Sequence, residues 1–140
     1  MSKKVLILLL AATIVFTMLT SCATTVEEIN VTLIITAGEE EILNQVIPMN
    51  YKDPTVLMLV KEAAVLYEIP VVYNENDDSV LHIGEYEAKD VENITYFWEY
   101  MINDVLPENT TGGKANAQAI KDGDVIHYIY SSLDITTIKK

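Results

Sequence analysis

Cysteine is almost absent from this chain of 140 residues: there is one, Cys22, and none after it. No intramolecular disulfide and no thiolate metal cluster can form, so the fold must rest on an apolar core. Arginine is missing altogether, and nine lysines face 21 acidic residues. A formal charge of −12 leaves no basic surface to neutralise phosphates, which argues against nucleic acid as a partner. Docking on anionic lipid is disfavoured for the same reason. Catalytic signatures are lacking as well. The chain has no Gly-x-Ser-x-Gly elbow, no phosphate loop and no His-Glu-x-x-His. Its many carboxylates read as a solvated acidic surface, with no acid/base pair standing apart, and the expectation is a non-enzymatic protein.

What is present first is a charged start and one apolar run. Met1-Ser2-Lys3-Lys4 is a short positive segment, and Val5 to Leu19 carries no charge. A secretory apolar region spans about 7–15 residues, whereas a membrane-spanning helix needs roughly 18 or more. The run fits a signal peptide, with an uncleaved anchor as the alternative. Leu19-Thr20-Ser21-Cys22 resembles the bacterial lipobox, whose cysteine receives a diacylglyceryl group before cleavage. Two acyl chains give a stable anchor where one of myristoyl size gives marginal binding. The expected organisation is a lipoprotein signal peptide at 1–21, a tether at 22–28, one folded domain at 29–131 and a tail at 132–140. Loss of Lys3 and Lys4 with the signal makes the mature chain more acidic than the −12 of the precursor. The implied location is the extracytoplasmic face of the cell membrane, with Cys22 as the lipid attachment site. Asn-x-Thr sites at Asn30, Asn93 and Asn109 would matter only in a eukaryotic secretory path.

The mature segment alternates strand and helix signals. Ile29 to Thr36 is rich in β-branched residues and reads as a strand. Ala37-Gly38 and the three glutamates after it form a polar turn into a second, antiparallel strand from Ile42 to Pro48. Asp53-Pro54-Thr55 opens a helix, with Asp53 or Thr55 as the cap. Val56, Leu59, Val60, Ala63 and Tyr67 share its apolar face, and Pro70 stops it. Short strands follow at Val71 to Tyr73 and Val80 to Ile83, then Thr95 to Ile102, a turn at Asn103-Asp104, a looser segment with Gly112-Gly113, and a last strand from Val125 to Tyr130. Ser131 to Lys140 reads as a frayed tail. The fold class is α+β, two layers sharing one core.

The order of Thr55-Val56-Leu57, Ile69-Pro70-Val71, Trp98-Glu99-Tyr100, Asn103 and Asp122-Gly123-Asp124-Val125-Ile126 with Tyr128 and Tyr130 resembles the transcobalamin C-terminal-like domain. The resemblance runs from about Ile29 to Tyr130, nearly one small domain. It implies a β-grasp-like fold, a mixed sheet on one main helix, in which animal cobalamin carriers use this lobe to close over a corrinoid. Cobalamin is therefore the cofactor that the resemblance implies, although many bacterial members have no assigned ligand. Asp104 stands where the family has glycine and Tyr128 where it has tryptophan; the stretch around Ile83-Gly84 matches poorly.

Ligand contact is expected at Tyr73, Tyr86 and Tyr96, in or near loops of such a grasp. Trp98 and Tyr100 share a strand face with Ile102 and read as core. His82 and His127 are the chain's two histidines, without a ligand spacing around them, and His127 falls on the outward parity of its strand. Asp122 and Asp124 flank Gly123 as in a turn; a calcium loop needs many more oxygens. Two functions fit: a lipid-anchored binding module for a corrinoid or other small ligand, or a structural or adhesive module that meets surface proteins through its sheet edges.

Overall fold

The computed structural model describes residues 26–76, 78–107 and 114–137. Cys22, the signal segment and Gly112-Gly113 lie outside them. The chain is mixed α+β, dominated by sheet. Strands β1 (Ile29–Ala37) and β2 (Glu40–Met49) form a hairpin, helix α1 (Val56–Leu66) follows, and then come β3 (Val71–Tyr73), β4 (Val80–Ile83), β5 (Tyr86–Glu87), β6 (Lys89–Val91), β7 (Ile94–Ile102) and β8 (Val125–Asp134). A five-stranded sheet runs β2-β1-β8-β7-β6, and a three-stranded sheet runs β3-β4-β5. The first is mixed: β1 and β8 are parallel, and its other pairs are antiparallel.

Alternation decides the faces. Val31, Leu33 and Ile35 of β1, Ile47 and Met49 of β2, and Ile126 and Tyr128 of β8 point into the core. Val56, Leu59, Val60 and Ala63 of α1 and Ile83 of β4 meet them there. Each aliphatic side chain fully withdrawn from water contributes about 1.5–3 kcal/mol. That core carries the fold without any covalent staple. Tyr67, expected on the helix's apolar face, is exposed instead, because α1 ends at Leu66 and Tyr67 caps it.

Local chemistry explains the boundaries. Thr55, the cap of α1, accepts a hydrogen bond from the Met58 amide at 3.4 Å. The next orphan donors are met from far along the chain: Val56 N–H donates to Gln118 O at 3.0 Å and Leu57 N–H to Ala115 O at 3.0 Å. The loose-looking segment after residue 113 is thus the lid on the helix start. At the other end Glu68 takes a left-handed φ of 54° and Ile69 N–H returns to Ala64 O at 3.1 Å, closing a Schellman turn before Pro70. Asn103 and Asp104 have φ of 52° and 64°, and Ile102 and Val105 exchange both backbone hydrogen bonds around them. That is a type I′ turn, the hairpin turn that best matches strand twist.

Three expectations change. The polar turn after β1 is only Gly38-Glu39; Glu40 and Glu41 already pair with Ala37 and Thr36. The supposed tail is strand as far as Asp134, because β7 begins at Ile94 and offers partners to Ser131, Ser132 and Leu133. The two serines hid a pairing that only the neighbouring strand supplies. The short strands β5 and β6 were also unexpected, being too brief to show a periodicity.

Candidate functional site at the aromatic end of the sheet

Beyond the aliphatic core, the same sheet face continues as aromatics. Trp98 of β7 lies opposite Tyr130 of β8, and Tyr96 lies two pairs further along, on the same face. Tyr86 arrives on β5 through the tight turn at Gly84, whose φ of 63° suits glycine. All three rings gather on Tyr130, with centroid separations of 5.4 Å for Tyr86, 5.8 Å for Tyr96 and 5.1 Å for Trp98. Tyr96 is stacked and the other two are tilted, arrangements that suit ring quadrupoles.

The polar ends of three of these rings are tied down. Trp98 Nε1 donates to the Tyr86 carbonyl at 3.1 Å, and Tyr130 Oη donates to the Glu87 carbonyl at 2.6 Å. Tyr86 Oη donates to a Glu40 carboxylate oxygen. That bond, with the Glu40 and Glu85 charges, holds the Tyr86 phenol above its ordinary pKa. Burial, then Tyr96 and the Glu87 charge, raise Tyr130. All four rings remain half-buried, so the cluster presents aromatic surface outward while fixing β5 to the large sheet.

Tyr86 and Tyr96, expected at a binding surface, are therefore brought together. Tyr73 is not with them. It packs against the core, its hydroxyl is buried without a hydrogen-bond partner, and desolvation lifts its pKa to about 12. Lys61 Nζ sits 5.1 Å from its ring centre, a cation–π contact. Its companions are Tyr100 and Tyr128, whose rings are 5.3 Å apart. Desolvation and the nearby Tyr100 and Tyr73 phenols drive Tyr128 far up. Trp98 is partly core and partly site; Tyr100 is core. The hub, Tyr130, and the carboxylate of Glu40 were not singled out as site residues. The only signal was the shared parity of Tyr128 and Tyr130.

The remaining candidates resolve into structure. His127 lies on the sheet face opposite the core, half-buried, with Nε2 2.9 Å from Thr36 Oγ1. His82 Nε2 is buried without a partner. Asp122 Oδ1 accepts from Asn30 N–H at 2.8 Å, and buried Asp124 accepts from Asn103 Nδ2 at 3.0 Å and Lys121 N–H at 2.9 Å. Asp122-Gly123-Asp124 is thus a clasp joining the starts of β1 and β8 to the β7 turn. Among the described residues no group of His, Cys, Asp and Glu is arranged to hold a metal ion. Nor is any helix there long and apolar enough to cross a membrane.

The sequence matches no family profile and no curated protein. Solved structures do share its fold. Haptocorrin in complex with Cbi superposes with a TM-score of 0.61 at 12% identity over 79% of this chain, which spans 28% of the haptocorrin chain. A candidate metal-binding protein from Ruminococcus gnavus superposes with a TM-score of 0.50 at 16% identity, covering 74% of this chain and 96% of that one. At such identities the likeness establishes a common fold, and the residues that would bind a ligand have to be argued from this chain alone.

Proposed function

We propose that this chain is a lipid-anchored, extracytoplasmic binding module without enzymatic activity, and that its ligand rests against Tyr86, Tyr96, Trp98 and Tyr130. The observation that carries the reading is this cluster: four half-buried rings, three of them pre-set by hydrogen bonds at their rims and the fourth, Tyr96, stacked on Tyr130. A rigid aromatic surface receives a flat or apolar ligand at little entropic cost. The strand order, read with the resemblance to transcobalamin C-terminal-like domains, supports a β-grasp. Haptocorrin, of like fold, is solved with Cbi, which makes a corrinoid the first ligand to try. The chain spans 28% of haptocorrin, so it corresponds to one part of that corrinoid-bound protein. The lipobox-like Leu19 to Cys22 supports the membrane location.

The test is a titration of the membrane-extracted protein with cobalamin. A shifted corrinoid absorbance and co-elution of ligand with protein support the reading; free elution and an unshifted spectrum remove the corrinoid. Intact mass tests the anchor: loss of Met1 to Ser21 and a diacylglyceryl increment are expected, and a free thiol at Cys22 would overturn it.

A second reading, an interaction module, is favoured by β2. This strand of ten residues is an edge of the five-stranded sheet. Thr32 N–H donates to Asp124 O at 2.9 Å, toward β8, so alternation turns the backbone amides of Val31, Leu33 and Ile35 toward β2. By the same alternation Asn44 and Val46 turn their amides outward, where an extended peptide could add a strand. Pro48 and the glutamates at the strand start blunt that edge. Replacing Val46 by proline removes one outward donor, and the reading requires that a surface partner then be lost from cross-linked membranes.

A further inference from the structure

We infer that the aromatic cluster around Tyr130 selects an organic cation, of the quaternary ammonium class, over neutral and anionic ligands. This rests on the ligand site proposed above and adds the charge of what it binds.

The argument starts from the rings. Faces of tryptophan and tyrosine carry negative potential, and here four of them lie within one patch, three of the rings 5.1–5.8 Å from the Tyr130 centre. Carboxylates surround them. Glu40 touches Tyr86 directly through its hydroxyl. Glu85 and Glu87 flank Tyr86 on the β5 turn, and both are exposed. Glu39 precedes Glu40 in the β1–β2 turn. One cation stands near: Lys89, opposite Tyr96 on β6. It is no match for the carboxylates, and the cation–π contact that does form with a lysine, Lys61 on Tyr73, is elsewhere. The phenols of Tyr86 and Tyr130 register the field, since both resist ionisation partly because of Glu40, Glu85 and Glu87. A field that opposes a phenolate also opposes any anion docked on the rings and draws in a cation. Aromatic faces with carboxylates at the rim suit a large, weakly hydrated cation that cannot be held by directional hydrogen bonds.

Trp98 is the only tryptophan in the chain, so its emission reports on the site alone. The full-length protein in detergent would be titrated with choline, with the neutral isostere in which carbon replaces the quaternary nitrogen, and with benzoate. Saturable change with choline, at least about fivefold tighter than with the isostere and weakened by salt, is expected. The double variant Glu40→Gln, Glu87→Gln should bind choline at least about threefold more weakly, while its circular dichroism stays that of the parent. Glutamine at position 40 can still accept from Tyr86, so the ring keeps its support. Equal affinity for choline and the isostere, tighter binding of benzoate, or indifference to the double variant overturns the inference. Saturation by benzoate, the isostere or cobalamin without choline removes the cation and leaves the ligand site standing. Failure of every probe removes both.

Discussion

Asp124 shows how much one side chain can decide. It is a carboxylate with only 5% of its surface exposed in a protein whose other acids are mostly at the surface. Its two oxygens accept from Asn103 Nδ2 and the Lys121 amide, and its carbonyl accepts from Thr32 at 2.9 Å. Removing the carboxylate strands donors at the point where three chain segments meet. Asp124→Ala should lower stability by about 2–3 kcal/mol in urea unfolding, and Asp124→Asn by less, since one acceptor remains. Tyr100 is the opposite case. Its hydroxyl is buried without a partner, an arrangement that costs free energy. Tyr100→Phe deletes the orphan and keeps the ring beside Tyr128. The expected result is stability unchanged or raised by up to about 1 kcal/mol; a clear loss in the same unfolding assay would show that the hydroxyl has a partner after all.

At the scale of elements, the turns do more than join strands. Helix α1 has no acidic residue in its first turn and no basic residue in its last, so its dipole is not compensated by its own charges. Its stability comes from Thr55, from the backbone of residues 115–118 and from the buried face. At its end the left-handed conformation falls on Glu68, a residue with a Cβ. Such a residue pays about 1–2 kcal/mol for that conformation, where glycine does not. Glu68→Gly should therefore stabilise the protein by about 0.5–1 kcal/mol, visible as a rise in melting temperature, because the Schellman geometry is kept and the strain removed. A fall would mean that the Glu68 side chain makes a contact worth more than its backbone strain. The turn at Asn103-Asp104 obeys the same chemistry. The family that the sequence resembles places glycine second, and here Asp104 takes the same left-handed turn.

For the whole molecule, the tyrosines set the response to alkali. Tyr73, Tyr86, Tyr100, Tyr128 and Tyr130 all ionise less readily when folded. Desolvation is the first cause for all but Tyr86, where the bond to Glu40 leads. A raised folded value means that the unfolded chain releases protons first. The stabilisation is complete below the ordinary tyrosine value of 10.0 and is lost as pH climbs through the folded value, about 12 for Tyr73. Melting temperature should thus fall from about pH 10 upward, and tyrosinate absorbance should rise late, in step with unfolding. A titration in which all tyrosines ionise near 10 in the folded protein would contradict the burial of Tyr73 and Tyr128. The acidic excess, a formal charge of −12, acts at the same scale, keeping copies of the chain apart through mutual repulsion.

The chain by itself determined the elements that announce themselves locally. β-Branched alternation marked β1, a three-to-four spacing marked α1, and Asn103-Asp104 and Asp122-Gly123 marked turns, because each signal lies within a few residues. The α+β class followed, as did the expectation of a lipid anchor at Cys22, which lies outside the described residues. Only the tertiary structure decided which aromatics meet. Tyr86 bonds to a carboxylate 46 residues away, and Tyr130 caps a carbonyl 43 residues away. Those pairings depend on the register of β7 against β8 and on a β5 too short to leave a periodic trace. Tyr73 looked like a loop residue by its neighbours and became interior because the core and Lys61 close over it. Local propensity fixes backbone conformation; long-range burial fixes register, and register places Tyr86 and Tyr96 on Tyr130 while Tyr73 is drawn into the core.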